Sequence, residues 1–293
     1  WEFRVDAVPF QNKDWRVGVY FNIAHNENKI TEMPDNYIEE NYTFGNGNYA
    51  YRREEGRPMG SFYGYRYKGV YQNKDATYAR DIEGNVMKDI SGNAIVMRNG
   101  SYTVAPGDAI YEDVNHDGVI NQYDIVYLGN SNPRLTGGAG LNVSYKQFKL
   151  SAIFYGRYGQ DVVNATRLNN ESMRGIDNQS TAVLRRWRNE GDQTDIPRAL
   201  YGEGYNTLGS DRFVEDASYL RLKSLSFTYR LPKKAIQRWG FNNIDVYVTG
   251  YNLFTWTNYT GQDPEVKTEN TYAKDTATTP ASIQLVAGFN LSF

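Results

Sequence analysis

Cysteine is absent from this 293-residue chain, so disulfide bonds, a thiolate nucleophile and cysteine-ligated metals are all excluded. Histidine is scarce as well, because the chain has only His25 and His116, and histidine-based catalysis is therefore not expected. No run of about 18 apolar residues occurs, so the sequence predicts no transmembrane helix. The formal net charge is only −2, which gives no bulk attraction for nucleic acid, and no nucleic-acid partner is expected.

Aromatic side chains, in contrast, are abundant, with 25 Tyr, 13 Phe and 5 Trp. The last segment, 282–293, alternates apolar and polar residues, a pattern that predicts a β-strand with one apolar face. Its apolar positions are Ile283, Leu285, Ala287, Phe289, Leu291 and Phe293. Its length is close to the ~9–11 residues that a tilted strand needs to cross a bilayer. The pattern therefore indicates a strand of a transmembrane barrel, with lipid on one side and a polar lumen on the other.

Seven segments show this pattern, and the sequence predicts an all-β fold. They cover approximately 1–9, 15–23, 135–145, 148–157, 217–230, 244–253 and 282–293. Short and long connections alternate, and the long ones span 24–132, 158–216 and 254–281. Transmembrane barrels have short periplasmic turns and long extracellular loops, so these three are expected to be extracellular. A soluble β-sandwich, whose strands also alternate, stays open as the alternative.

The predicted strands are too few for a complete wide barrel. Barrel diameter grows with strand number, so further strands are expected from a longer polypeptide. The chain begins at Trp1 inside a strand pattern and shows no signal peptide, which we interpret as a fragment or a processed piece. Within the second long connection, Thr181 is expected to cap a short helix that runs through Asn189.

The segment 217–230 interrupts its own alternation. Leu222 falls on one face and Leu225 on the other, so a β-bulge is expected near Lys223. Arg221 and Lys223 lie beside the bulge, and the pattern leaves open whether they face lipid or lumen.

Several stretches of the sequence are specific enough to identify a family. They are GSFYGYRYKGVYQN at 60–73, GDAIYEDVNHDGVI at 107–120, GNSNP at 129–133, DIPR at 195–198, ASYLRLKSL at 217–225, LPKK at 231–234 and YNLF at 251–254. With these stretches the chain resembles the C-terminal third of a SusC/RagA-type TonB-dependent outer-membrane transporter of Bacteroidota.

The resemblance implies the last strands of a large, plugged antiparallel barrel in the outer membrane of a Gram-negative bacterium. It also implies energised import of an oligosaccharide or a peptide, without enzymatic chemistry. The implied partners are a SusD-like surface lipoprotein, the TonB complex, the remaining barrel strands and plug, and outer-membrane lipid. Two alternatives stay open: a secreted, calcium-stabilised β domain that binds carbohydrate, and an outer-membrane enzyme.

The segment 113–124 has the spacing of a calcium-binding loop. Calcium needs several hard oxygen ligands, and oxygens at loop positions 1, 3 and 5 with a glycine at position 6 fold onto one ion. The predicted ligands are Asp113, Asn115, Asp117, the Val119 carbonyl, Asn121 through water, and Asp124. Asp at position 12 is a departure from the EF-hand, which has Glu there. The alternative is an ion-free turn, since Asp, Asn and Gly form turns in any case.

Tyrosines at alternate positions of 60–71 predict an aromatic ladder, a candidate stacking platform for sugar rings. The ladder consists of Tyr63, Tyr65, Tyr67 and Tyr71. Packing against a neighbouring strand is the structural alternative.

Overall fold

The seven predicted strands form one antiparallel sheet. The computed structural model describes residues 1–34, 45–202, 204–269 and 272–293. The strands are β1 Glu2–Gln11, β2 Trp15–His25, β3 Leu135–Tyr145, β4 Phe148–Tyr158, β5 Tyr219–Arg230, β6 Asn243–Thr257 and β7 Gln284–Ser292. Their order across the sheet is their order along the chain, and every pairing is antiparallel. The predicted all-β architecture is therefore confirmed.

The two faces of this sheet differ in chemistry because the strands keep their alternation in register. One cross-strand row runs Phe10, Val17, Val143, Leu150, Phe227, Val248 and Ala287. The adjacent row runs Gln11, Arg16, Ser144, Lys149, Thr228, Tyr247 and Gly288. We call the first face the outward face and the second the inner face. Large apolar side chains on the outward face are uncovered, with Leu285 74% and Phe289 68% exposed. A continuous apolar surface of this size requires an apolar environment.

Aromatic side chains mark both ends of the strands. At the end with short turns, Trp15 packs on Tyr145 with ring centroids 4.3 Å apart, and Phe241 packs on Phe293 at 4.9 Å. At the opposite end, Trp1 lies 5.6 Å from the ring of His25. Two aromatic belts of this kind are typical of barrel strands at the two membrane interfaces.

The connections sort by length onto the two ends of the sheet. The short ones are 12–14, 146–147 and 231–242, and the last contains a helix at Lys233–Ile236 and a 3₁₀ turn at Gln237–Trp239. The long ones are L1 (26–134), L2 (159–218) and L3 (258–283). Residues 35–44 of L1, 203 of L2 and 270–271 of L3 lie outside the described residues.

The predicted bulge in β5 is confirmed. Ser224 pairs with Ile153, yet Leu222 pairs with Phe154, so Lys223 is the extra residue. On the other side, Leu222 pairs with Phe254. The prediction that β6 ends near Leu253 is wrong, because the strand continues to Thr257. Asn252 has φ +53°, and the alternation of side chains resumes after it.

The long loops are folded segments with short elements of their own. L1 contains strands Ser61–Gly64, Tyr67–Val70, Arg98–Asn99, Tyr102–Thr103, Ala109–Tyr111, Val119–Ile120 and Val126–Asn130, with 3₁₀ turns Asp75–Thr77 and Gln122–Asp124. L2 contains strands Asp161–Asn164 and Val214–Asp216, helix Ala165–Asn170, and 3₁₀ turns Thr181–Arg185, Tyr205–Thr207 and Asp211–Phe213. L3 contains Thr268–Glu269 and Tyr272–Asp275. The helix expected from Thr181 to Asn189 is thus wrong, because Ser180 caps a 3₁₀ turn that ends at Arg185.

Shared cores join the loops. Tyr65 and Tyr111 of L1 pack with Leu208 of L2, and Phe62 of L1 packs with Val163 of L2. L2 and L3 also share a sheet through the parallel pairing of Asp161–Asn164 with Tyr272–Asp275. The folded parts of the loops therefore form a joint structure at one end of the sheet.

Among the described helices, none is both long and apolar enough to cross a membrane.

Candidate functional site on the long loops and the inner wall

The four tyrosines predicted as one ladder are divided between different strands. Tyr63 lies in Ser61–Gly64, which pairs with Val126–Asn130, whereas Tyr67 begins a strand that pairs with Ala109–Tyr111. The chain changes pairing partner between the two tyrosines. The four rings are therefore not carried by a single strand.

Most of these rings are buried. Tyr63 and Tyr65 are 0% exposed and Tyr71 is 3% exposed. The Tyr65 ring lies 5.7 Å from that of Tyr111 inside the core shared with L2. Burial, with a hydrogen bond of 2.9 Å to Glu54, raises the pKa of Tyr63 to about 12. These contacts agree with the alternative that the tyrosines pack against neighbouring elements of the protein.

Tyr67 differs from the other three because it is only half-buried. Its hydroxyl donates to the Asp195 carbonyl at 2.6 Å, and the Arg212 guanidinium lies 5.1 Å from its ring. Burial raises its pKa well above the ordinary value. Substrate stacking by the ladder stays a prediction, and Tyr67 is the member whose exposure suits it best.

The first half of the candidate calcium loop forms a tight turn around the Asp113 carboxylate. Asp113 accepts hydrogen bonds from the N–H groups of Asp117 at 3.2 Å and Gly118 at 2.8 Å. Asn115 donates to the Asp117 carboxylate at 2.9 Å. Gly118 has φ +81°, a left-handed conformation in which a side chain would be strained. The side chains at positions 1, 3 and 5 are therefore close together.

The second half of the loop satisfies its own polar groups. Asp124 is 0% exposed and accepts the N–H groups of Val114 and Asn121, each at 2.8 Å. Burial raises its pKa, although these two hydrogen bonds oppose the shift. The Asn121 amide donates to the Val119 carbonyl at 3.0 Å. Within the described ranges, no three His, Asp or Glu side chains converge as metal ligands. Asp113, Asn115 and Asp117 lie close together, Asp124 accepts hydrogen bonds within its own turn, and calcium binding stays a prediction.

A buried carboxylate connects L1 to L2. Asp108 of L1 is 0% exposed and accepts from Arg198 Nε of L2 at 2.7 Å. It also accepts from the Tyr102 hydroxyl at 2.8 Å and from Asn206 Nδ2 at 3.1 Å. A carboxylate removed from water requires such partners, so the relative placement of the two loops depends on this residue.

A second charged cluster ties L3 to the inner face. Arg221 of β5 is 2% exposed and donates to Thr255 Oγ1 of β6 and to Glu265 of L3, both at 2.8 Å. It also pairs with Asp263 of L3, and Lys223 donates to Glu265 at 2.8 Å. The sequence pattern left open which face of the sheet Arg221 and Lys223 occupy. Their partners show that both lie on the inner face.

The electrostatics of this cluster favour ionised carboxylates. Burial alone would raise the pKa of Asp263, but hydrogen bonds from Ala281 N–H, Glu265 N–H and Arg221 lower it overall. Sequence reasoning missed Asp263 and Glu265 because nothing local indicates that L3 folds back over β5. The signal that the sequence offers is the acidic pair itself, 42 and 44 residues after Arg221.

Comparisons with known proteins give relatives along nearly the whole chain. No family model matches it. It is 32% identical over 277 residues to TonB-dependent receptor P3 of Formosa agariphila, covering 92% of this chain and 25% of that protein. It is 27% identical over 301 residues to TonB-dependent receptor SusC of Bacteroides thetaiotaomicron, covering 100% of this chain and 26% of the relative.

Solved structures give the same result at the level of the fold. The chain superposes on a chain of the RagAB peptide transporter with a TM-score of 0.72 and 26% identity, covering 100% of this chain and 29% of that one. In the "open-open" RagAB peptide importer the TM-score is 0.67 with 25% identity. The chain thus spans about a quarter of the length of the curated relatives that it matches.

Proposed function

Because this chain belongs to the SusC/RagA-type TonB-dependent receptors, we propose that it supplies seven wall strands and three outer loops of an outer-membrane importer. The outward face carries the proposal, since side chains such as Leu285 and Phe289 are stable only in an apolar phase. The aromatic belts and the sorting of short and long connections onto opposite ends support the same placement. In this arrangement L1, L2 and L3 are extracellular and the inner face lines the lumen.

We propose that the complete transporter imports oligosaccharides or peptides. Support comes from similarity to SusC and to the RagAB structures, one of which is described as a peptide transporter. A SusD-like surface lipoprotein would close over the joined loops, and the plug, further strands and TonB contact would come from the rest of the polypeptide. The proposed role is transport, with no covalent chemistry on this segment.

The loop 113–124 would hold a structural Ca²⁺ in this proposal. Asp113, Asn115 and Asp117 support it, because their side chains already meet around the turn at Gly118. An ion there would neutralise two carboxylates and stiffen L1 next to the proposed lid.

Uptake by the full-length transporter tests the proposal. Labelled oligosaccharides and peptides are offered to cells with the intact transporter, to cells without TonB and to cells without the surface lipoprotein. We expect uptake of one substrate class that is lost without TonB. Cell fractionation distinguishes the importer from a secreted β domain. Recovery of the protein in the soluble fraction without detergent would support the secreted domain.

A further inference from the structure

An open stretch of the inner face lies beside the anchor of L3. At the long-loop end of β4, Tyr155 and Arg157 lie on the inner face and are half-buried. Their register partners on β3 are Gly138 and Thr136. A Cβ atom placed on Gly138 would have only two atoms within 4 Å, the side-chain oxygen of Asn22 on β2 and a main-chain oxygen of β4. No described loop therefore rests on this part of the wall.

Side chains around this stretch carry hydrogen-bond donors that have no acceptor in the described ranges. Arg157 donates through Nε to the Tyr155 hydroxyl at 3.2 Å, and its two Nη groups have no partner there. The Asn22 amide, the Thr136 hydroxyl and the Tyr155 proton likewise have no acceptor. Since neighbouring strands lie about 4.8 Å apart, these groups border a floor about 10 Å wide from β2 to β4. We call this stretch the wall site: Asn22, Thr136, Gly138, Tyr155 and Arg157.

The adjacent strand adds a buried donor without a partner. Tyr219 of β5 is the register partner of Arg157, and its ring lies 6.2 Å from that of Tyr155. Its hydroxyl is buried and has no hydrogen-bond partner in the part of the chain that the structure describes. Since buried polar groups are almost always hydrogen-bonded, the excess of donors indicates that an acceptor from outside this chain belongs in this corner of the wall.

The balance of charge in this corner is positive. Three cations lie close to two carboxylates; the five are Arg157, Arg221, Lys223, Asp263 and Glu265. The charged ends of Arg157 and Lys223 lie 5.9 and 5.8 Å from the same ring, that of Tyr155. Glu265 also acts on Arg157 electrostatically, but its contacts of 2.8 Å go to the two cations of β5. Arg157 is therefore the cation of this group that has no ion pair within the described ranges.

L3 shows which kind of group this corner of the wall binds. One carboxylate oxygen of Glu265 lies between Arg221 and Lys223, at 2.8 Å from each. The β5 side of the cluster is thus occupied by carboxylates of the chain itself, whereas the β4 and β3 side is open. A carboxylate from outside the chain would complete the open side through the two free Nη groups of Arg157, because a guanidinium pairs with a carboxylate through parallel hydrogen bonds.

We propose that the wall site binds a carboxylate of the transported substrate. The inference rests on the proposed function, in which the inner face lines the lumen that the substrate crosses. Arg157 pairs with the carboxylate, Asn22 and Thr136 donate to neighbouring polar atoms of the substrate, and Gly138 leaves room for it. The substrate class is thereby narrowed to acidic molecules, whose carboxylate belongs to a uronic acid residue of an oligosaccharide or to an acidic residue of a peptide.

The test uses the full-length transporter, purified in mild detergent, with native mass spectrometry of the retained ligand. The probes are oligogalacturonates with their methyl esters, and glutamate-containing peptides with their glutamine counterparts, all of equal length. Arg157→Gln removes the charge of the wall site. Lys149→Gln is the matched control, because Lys149 lies on the same face of β4 at the short-turn end and also has no ion pair within the described ranges. Thr136→Asp places a carboxylate of the chain beside Arg157.

We expect wild type and Lys149→Gln to retain the carboxylate member of one probe pair in preference to its neutral partner. Arg157→Gln should lose at least about tenfold of this preference, because hydrogen bonds to a charged group are lost. Thr136→Asp should lose it as well, since its own carboxylate pairs with Arg157. The pair that wild type selects distinguishes an acidic oligosaccharide from an acidic peptide.

A wild type without preference for either carboxylate probe, or a preference that survives in Arg157→Gln, would overturn the proposal. If Arg157→Gln lowers only the amount of folded transporter, the guanidinium contacts the plug or another wall strand, and the assignment to substrate is wrong. TonB-dependent uptake is measured in parallel. Uptake without a carboxylate preference refutes only the wall site, whereas absence of the protein from the outer membrane refutes the transporter.

Discussion

Arg221 on β5 and Asp263 on L3 form a buried ion pair across the inner wall, with side chains 3% and 17% exposed. Arg221 also holds Glu265 and Thr255, so one guanidinium joins two wall strands to the third loop. L3 is therefore anchored against the lumen side of the sheet. In the proposed transporter, this contact sets how far the loop extends over the pore.

Removing the Arg221 charge should release L3. Arg221→Met leaves Asp263 without its cationic partner, whereas Glu265 keeps Lys223, and breaking a buried pair costs about 3–5 kcal/mol. We expect faster amide hydrogen exchange across 258–283 in the intact transporter. Arg230→Met is the control, because its pair with Asp245 is exposed and contributes about 0–1 kcal/mol. Equal exchange in the two variants would contradict the anchor.

The pair between Arg221 and Asp263 should weaken only at acidic pH. The pKa of Asp263 in the folded protein is lower than its ordinary value, so its stabilisation is present above the unfolded pKa and is lost as pH falls through the folded pKa. Exchange protection of L3 should stay constant from about pH 8 to 5 and fall below about pH 4. The measurement is exchange corrected for its intrinsic pH dependence. Asp263→Asn should abolish the acid transition, and its persistence in that variant would assign the transition to another group.

Calcium should stabilise L1 if the loop 113–124 binds it. When the free calcium concentration is a hundred times the dissociation constant, the free energy of unfolding rises by about 2.7 kcal/mol, and a chelator should remove this increase. Asp117→Ala should abolish both the bound ion and the stabilisation. Asp81→Ala is the matched control, because Asp81 accepts the N–H groups of Glu83 and Asn85 in its own turn, as Asp117 accepts that of Val119. Metal analysis that finds no calcium in the purified wild type would refute the site.

Two tyrosines separate packing from substrate contact. Tyr65→Ala empties a fully buried position in the core that L1 shares with L2, and should cost about 3–5 kcal/mol of loop stability. Tyr67→Leu keeps bulk at a half-buried position but removes the aromatic face. We expect Tyr65→Ala to lower the midpoint of loop unfolding. If the ladder stacks on sugar, Tyr67→Leu lowers the affinity for an oligosaccharide in addition to the loop stability lost with its hydrogen bond to Asp195; unchanged affinity would remove Tyr67 from the proposed substrate contacts.

A charge on each face tests the membrane placement. Val248 of β6 is outward and 51% exposed, so Val248→Lys should cost about 2–4 kcal/mol near the middle of the bilayer. Asn290→Lys on the inner face of β7 faces Asp245 in the register and should assemble normally. Heat-shift electrophoresis of outer-membrane fractions reports the folded amount. Equal assembly of both variants would show that the outward face does not contact lipid.

Distant partners explain why the candidate site was less predictable than the strands. Tyr63 and Tyr65 were expected to share a ladder, yet each entered a different buried environment. Asp124 is predicted to ligate an ion, and the structure shows that its oxygens also accept the N–H groups of Val114 and Asn121, which nothing in the spacing indicates. Spacing alone does not distinguish a ligand from a cap, since both use the same carboxylate.

By itself, the sequence determined the seven strands, their apolar and polar faces, the bulge at Lys223 and the alternation of short and long connections. These features are local, because the period of two and the hydrophobicity of each side chain assign a face without knowledge of any partner. The tertiary structure alone decided the inner position of Arg221 and the union of L1 with L2 through Asp108 and Arg198. The physical reason is that a buried charge is stabilised by partners that lie far away in the chain. Arg198, for example, lies 90 residues after Asp108.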